Sequence, residues 1–214
     1  MTTIHFIYRK SFDKIIIHFL GKEERKISQK TLDKIIDNFK KQWKAIEKEI
    51  FNKIHEYSGS LPKNIVCYIS NECPRKGFTK PLTIYLNKDI DKMIFSLIFH
   101  LNKIALNSRK DFTNRVSITA IACDLNIDII YSIIALYNTI KIANEIFGFH
   151  TSLRWIKTFM LEETRKDIKI YEKIKEIIDH KGLKLTSNEV LDIIAYSCIT
   201  EWRARRDSNP GPAT

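Results

Sequence analysis

Along this chain the spacing of apolar residues alternates between the two-residue period of strands and the three- and four-residue period of helices. Residues 4–8 and 14–20 are rich in Ile and Phe and are separated by Arg9, Lys10, Ser11, Phe12 and Asp13, with Gly21 closing the second run. This reads as a β-hairpin. From Ser28 the pattern turns helical: Leu32, Ile35, Ile36, Phe39, Trp43, Ile46, Ile50, Ile54 and Tyr57 form one stripe through about eight turns. The opposite face carries Lys40, Lys41, Lys44, Glu47 and Lys48, and Ser58, Gly59, Ser60 and Pro62 end the helix. This is an amphipathic helix laid on a sheet. Residues 64–70 form a strand with Ile65, Cys67 and Ile69 on one face, followed by a loop over 71–80 that holds Pro74 and Gly77. Residues 82–86 form another strand, Leu82, Ile84 and Leu86 alternating with Thr83 and Tyr85.

Asn87 or Asp89 then caps a helix running to Asn107, in which Ile90, Met93, Ile94, Leu97, Ile98, Leu101, Ile104 and Ala105 widen into a nearly all-round apolar surface. A helix of that kind belongs at the centre of a core. After a polar turn over 108–114, a short helix covers 117–123. A longer one runs from Asn126 to Phe147, with Ile129, Ile130, Ile133, Ile134, Tyr137, Ile140 and Ala143 as its core positions and Gly148 as its stop. Thr151 or Ser152 caps a further helix with Leu153, Trp155, Ile156, Phe159 and Met160 on its apolar side. That pattern continues through Ile168, Tyr171, Ile174, Ile177 and Ile178 to Gly182. Thr186–Glu189 is a capping box that opens a last helix through Val190, Ile193, Ile194 and Tyr196. The expected fold class is α+β and mostly helical: a small mixed sheet, a long backing helix, a central helix and C-terminal helices. Residues 1–150 form the α+β domain, 151–200 a helical extension, and 201–214 a disordered tail.

The strand, turn and helix over 82–107 resemble the edge strand and active-site helix of small gluzincin-type zinc metallopeptidases, known from archaea. In those proteins the helix carries H-E-x-x-H in an apolar setting such as LIHELxHIAL; here the segment reads LIFHLNKIAL. Phe99 stands at the first histidine, His100 at the glutamate and Lys103 at the second histidine. Two histidines one turn apart hold zinc on one helix face, and the glutamate acts as general base on the bound water. Phenylalanine cannot ligate, and a lysine repels a dication. The resemblance therefore implies a zincin-like scaffold without its metal site: no catalytic residue, no metal and no cofactor. It also implies an antiparallel strand along the rim of the sheet above the central helix, with Phe99 and Lys103 facing the former cleft. A lysine there needs an exit for its ammonium or a carboxylate partner, and the resemblance makes Glu145, where the family places its third ligand, the candidate.

Composition narrows the class further. In 214 residues, hydrophobic residues make up 44% and charged residues 29%, which describes a soluble globular protein. Six Gly and five Pro suit long helices, and the Ile and Lys richness suits an AT-rich genome. No Gly-rich phosphate loop, GxSxG or Cys/His pair at catalytic spacing occurs. The four cysteines, Cys67, Cys73, Cys123 and Cys198, lack knuckle spacing and are expected as free thiols. No signal core or uninterrupted apolar span is found, so a cytoplasmic protein with no membrane contact is expected. The net charge of +11 makes nucleic acid a possible partner, but the lysines are scattered among acidic residues and a solvated basic surface is favoured.

The helices flanking HKGLKLTS form a candidate helix-turn-helix over residues 171–197. Residues 202–214, WRARRDSNPGPAT, change character abruptly. Their back-translation reads as the complement of a tRNA CCA end followed by a T loop, as if the frame ran antisense into a tRNA gene, a common integration target of mobile elements. The favoured function is a catalytically inactive zincin-like protein with a binding or accessory role and an unidentified partner. The alternative is a DNA-binding protein of an integrated mobile element.

Overall fold

A computed structural model of the chain describes residues 2–20, 27–73, 77–148 and 165–208. In order, the elements are β1 (Thr3–Tyr8), α1 (Lys10–Leu20), α2 (Gln29–Tyr57), β2 (Asn64–Ser70), β3 (Phe78–Thr79), β4 (Leu82–Tyr85), α3 (Ile90–Asn107), α4 (Lys110–Cys123), α5 (Ile127–Phe147), α6 (Arg165–Lys181) and α7 (Ser187–Ser208). The fold is mostly helical, with one small mixed sheet ordered β1-β2-β4-β3. β1 and β4 run parallel to β2, and β3 runs antiparallel to β4.

Parallel register pairs Ile4 with Ile65 and Phe6 with Cys67, so these side chains share the sheet face covered by α2. There Phe6 meets the rings of Phe39 and Trp43 edge-on, at 5.1 and 6.4 Å between centroids. α2 begins where the sequence places it: Ser28 is its N-cap, and the Ser28 hydroxyl accepts from the Thr31 amide at 3.3 Å. Its apolar stripe is buried from Leu32 to Ile54 and its lysine face is exposed. α3 is buried nearly all round, including Ser96, His100, Asn102 and Lys103.

Several expectations need correction. Residues 14–20 do not form the second arm of a hairpin but lie in helix α1. Asp13 and Ile16 are buried while Ile15 and Phe19 are exposed, a helical rather than alternating pattern. Asp13, in the first turn, accepts a 2.5 Å hydrogen bond from the Ser70 hydroxyl, and Phe12 stacks on Tyr68, which together fix α1 to β2. The loop after β2 contains a strand, β3. Gly77 precedes it at φ +76, and a Cβ there would collide with the Thr83 carbonyl, so the position requires glycine. β4, expected at the sheet edge, is an inner strand; Leu82, Thr83 and Ile84 are all buried, so both its faces are covered.

α4 begins at Lys110, earlier than expected. Asp111 suits the first turn of a helix, and fully buried Phe112 anchors that turn in the core. The helix expected from residue 151 falls largely outside the described residues. Instead of an irregular tail from residue 201, α7 continues to Ser208. Ala and Arg are good helix formers, and extending an existing helix requires no new nucleus. Residues 209–214 lie outside the described part.

α6 and α7 contribute Ile174, Ile177, Val190, Leu191 and Ile194 to the same apolar core as the sheet and α2–α5. The turn between them is pinned by Tyr137, whose hydroxyl donates to the Gly182 carbonyl (2.8 Å) and accepts from the Leu185 amide (3.1 Å). The capping box of α7 forms as read: Glu189 accepts from the Thr186 amide and Thr186 from the Glu189 amide. Two cysteines depart from expectation, because Cys123 and Cys198 form a disulfide. Packing of α4 against α7 brings their Cα atoms to 5.2 Å, a proximity that spacing along the sequence does not encode. Cys67 and Cys73 are buried outside any disulfide, and burial pushes the Cys67 thiol well above its usual range.

Within this apolar core lies a buried polar network. The Asn138 amide donates to the Ser58 and Ser187 hydroxyls at 2.8 and 2.9 Å. Ser58 donates to Asn102 Oδ1, the Asn102 amide donates to Thr139, and Ser187 donates to the Tyr57 carbonyl. All five side chains are nearly inaccessible. Replacing Asn138 by leucine conserves volume but removes the donor shared by two buried hydroxyls, and should cost about 3 kcal/mol in urea unfolding. A loss below about 1 kcal/mol would show that the network does not hold the helices together.

Candidate functional site

The three positions at which the zincin resemblance places its motif all lie on α3 and all are buried. Phe99 and Lys103 share a face, as one-turn spacing requires, with the Lys103 ammonium 5.8 Å from the centre of the Phe99 ring. Each is 7% exposed. His100 points elsewhere, toward the rim of the sheet, where its Nδ1 lies 2.8 Å from the Thr79 hydroxyl of β3. A short antiparallel strand therefore does run beside α3. It is Phe78–Thr79 and not the segment over 82–86 to which the resemblance assigned the edge.

Lys103 has a carboxylate partner, but it is Asp128 and not Glu145. The ammonium donates to Asp128 at 2.7 Å and to the Ser132 hydroxyl at 3.2 Å. Asp128 occupies the first turn of α5, whereas Glu145 lies in its last turns, about 25 Å away along the axis at 1.5 Å per residue. The pair was findable. Asp128 and Glu145 are the two acidic residues of α5, and Asp128 with Ser132 one turn later presents an acceptor pair on one face. The third-ligand analogy pointed to the wrong end of the helix.

Glu145 belongs to a separate surface cluster. It accepts from the Tyr57 hydroxyl at 2.7 Å and pairs with Lys53 at 2.8 Å, while the Lys141 ammonium stands 4.0 Å above the Tyr57 ring. Burial, reinforced by the bond to Glu145, pushes the Tyr57 phenol up to about 12. Burial also works against ionisation of Glu145, but the hydrogen bonds from Lys53 and Tyr57 outweigh it and hold the carboxyl below its ordinary value. The bond to Glu145 raises Lys53.

Chemically, α3 presents a ring, a paired ammonium and an imidazole held by a threonine. Among the described residues no three His, Cys, Asp or Glu side chains converge in a way that could hold a metal ion. The candidate helix-turn-helix is present as a helix pair, but α7 is packed through Val190, Leu191 and Ile194 and exposes Glu189 and Asp192. Arg115 of α4 binds Asn188 and Asp192. Among the described residues no single helix is long and apolar enough to cross a membrane. The chain matches no protein-family model, no curated protein and no solved structure.

Two outcomes follow from this geometry. Lys103 is buried while the Asp128 side chain is 58% exposed, so the two partners are not equivalent. Asp128→Ala leaves an ammonium in the core with only the Ser132 hydroxyl beside it, and should cost roughly 2 kcal/mol, whereas Lys103→Met returns Asp128 to water and should stay within about 1 kcal/mol of the parent. Equal losses in chemical denaturation would contradict the asymmetry. For the surface cluster, Glu145 is depressed in the folded state, so its contribution is present above the unfolded carboxyl value of about 4.3 and disappears as pH falls through its folded value. The raised Tyr57 acts oppositely: its contribution is complete below about 10 and is lost as pH rises through about 12. The stability difference between the parent and Glu145→Gln should therefore vanish in acid. A tyrosinate absorbance step near 12 should disappear in Tyr57→Phe.

Proposed function

We propose that this chain is a catalytically inactive, zincin-like protein that acts by binding, in an accessory role. The observation that carries the reading is Lys103. At the position of the second zinc-binding histidine stands a buried ammonium already paired with Asp128 and hydrogen-bonded to Ser132, next to a phenylalanine at the position of the first. A positive side-chain charge thus occupies the place of the metal charge, and the same carboxylate that would welcome a cation is engaged with it. His100, at the position of the general base, is tied to Thr79. The long helix on the sheet, the short antiparallel strand beside α3 and the central burial of α3 support a scaffold of this kind.

The rival reading, a DNA-binding protein of a mobile element, is weaker. A recognition helix meets phosphates and base edges with its exposed side, and the start of α7, next to the turn, exposes Glu189 and Asp192.

Purified protein is expected to hold no more than a trace of zinc after dialysis, by elemental analysis; about one equivalent retained would overturn the reading. The reverse experiment tests the geometry. Substituting Phe99→His, His100→Glu and Lys103→His together restores the motif and frees Asp128 as a third, carboxylate ligand. The folded triple variant should then bind zinc, and a further Asp128→Ala should weaken that binding by 10-fold or more, in keeping with about 1.4 kcal/mol per tenfold. A folded triple variant without zinc affinity would count against a zincin-like arrangement.

A further inference from the structure

The sheet has one long open edge. β1 borders β2 on one side, and among the described residues no strand borders it on the other. The Thr3 amide donates to the Lys63 carbonyl at 2.8 Å, so Thr3, His5 and Ile7 bond toward β2. By strand alternation, Ile4 and Phe6 present their N–H and C=O groups to the open edge. β1 itself carries no lysine, proline or acidic residue, so it lacks the devices that usually blunt an edge against pairing. Beside it lies an open groove of about 940 Å³, at the upper end of the roughly 300–1,000 Å³ typical of ligand clefts. Ile4, Phe6 and Trp43 line it, and Lys40, Lys41 and Lys44 of α2 border it.

The charge on this border, which Glu47 also lines, is net positive. Lys44 is paired with Glu47 at 2.5 Å, while Lys40 and Lys41 are exposed and make no ion pair among the described residues. The indole nitrogen of Trp43, buried against the groove, has no acceptor among the described residues. We propose that the β1 edge and the α2 lysines form a docking site for an acidic, extended peptide segment of a partner protein, which adds to the sheet as a further strand. Main-chain bonds to Ile4 and Phe6 would supply the alignment, and alternate side chains would face the lysine border. Charge selects this occupant over a second copy of the chain. Pairing β1 with its own copy would bring two lysine borders together, in a protein whose net charge is already +11. The inference does not depend on the zincin reading, since it uses neither α3 nor a metal.

The test uses the full chain and a fluorescein-labelled octapeptide of alternating valine and glutamate with blocked termini. Anisotropy should show binding in the micromolar range at low salt that weakens as salt rises. A peptide with lysine in place of glutamate should not bind. In hydrogen exchange followed by NMR, the amides of Ile4 and Phe6 should gain protection on addition of the acidic peptide. The surface variant K40E/K41E should keep its circular dichroism spectrum and lose at least about tenfold in affinity, the expected effect of reversing charges at an interface rim. No binding at about millimolar peptide overturns the proposal. So does binding without protection of Ile4 and Phe6, or binding unchanged in K40E/K41E. Protection of those amides that rises with protein concentration alone would assign the edge to a second copy, and would also overturn it.

Discussion

The hydrogen bonds through Asn138 and Asn102 fix how the helices of this protein sit on one another. α3 and α5 are apolar around most of their circumference, and burial of apolar surface is non-directional; it rewards contact but does not choose a rotation or a register. The two asparagines do choose. Asn102 must reach Ser58 at the end of α2 and Thr139 on α5, and Asn138 must reach Ser58 and Ser187 at the start of α7. Four segments that are distant in sequence meet at one point. A shift of α5 by one residue would turn these groups away from their partners and leave several buried donors and acceptors unmet, each at a cost of about 1–3 kcal/mol. Hydrophobic packing gives the core its strength, and the amides give it a single arrangement. The positions of Lys103, Asp128 and the α6–α7 turn follow from that arrangement.

The parts of the fold that could be read from the sequence are those set by local periodicity and capping. The stripe of α2, its Ser28 cap, the all-round burial of α3, the span of α5 from Asn126 to Gly148 and the Thr186–Glu189 box depend on residues within a turn or two of one another. The misread segments depend on distant partners. Residues 14–20 hold three consecutive isoleucines that suit a strand or a helix equally, and the choice was made by Asp13 meeting Ser70 and Phe12 meeting Tyr68. β3 is two residues long, too short to carry a period, and exists because β4 offers it a ladder. The disulfide required knowledge that α4 lies on α7. At the candidate site, the shared face of Phe99 and Lys103 follows from helix geometry alone, whereas the identity of the carboxylate depended on how α5 crosses α3.

The Lys103–Asp128 pair also bears on why α3 tolerates a lysine in its buried sequence. An unpaired ammonium in such a setting costs several kcal/mol. Here the ammonium lies 5.8 Å from the centre of the Phe99 ring and is paired with a carboxylate that is itself half exposed at the start of α5, where the backbone dipole already favours negative charge. Pairing with Asp128, which keeps its own solvation, and the bond to Ser132 offset the cost of burying this lysine.

Part of the chain's basic character lies beside the open edge of the sheet. Lysines outnumber acids on the outer face of α2, while the first turns of α7 expose Glu189 and Asp192, and Asp192 is paired with Arg115. A uniform positive surface would favour any polyanion through counterion release. A positive border confined to one helix, beside an uncharged strand edge with unmet main-chain groups, favours a ligand that is both anionic and able to pair as a strand. Nucleic acid satisfies the first requirement and fails the second, because its backbone offers no N–H donors in ladder spacing. A peptide rich in acidic residues satisfies both. Lys40 and Lys41, without an ion pair among the described residues, thus take their meaning from the backbone they border, the open side of β1.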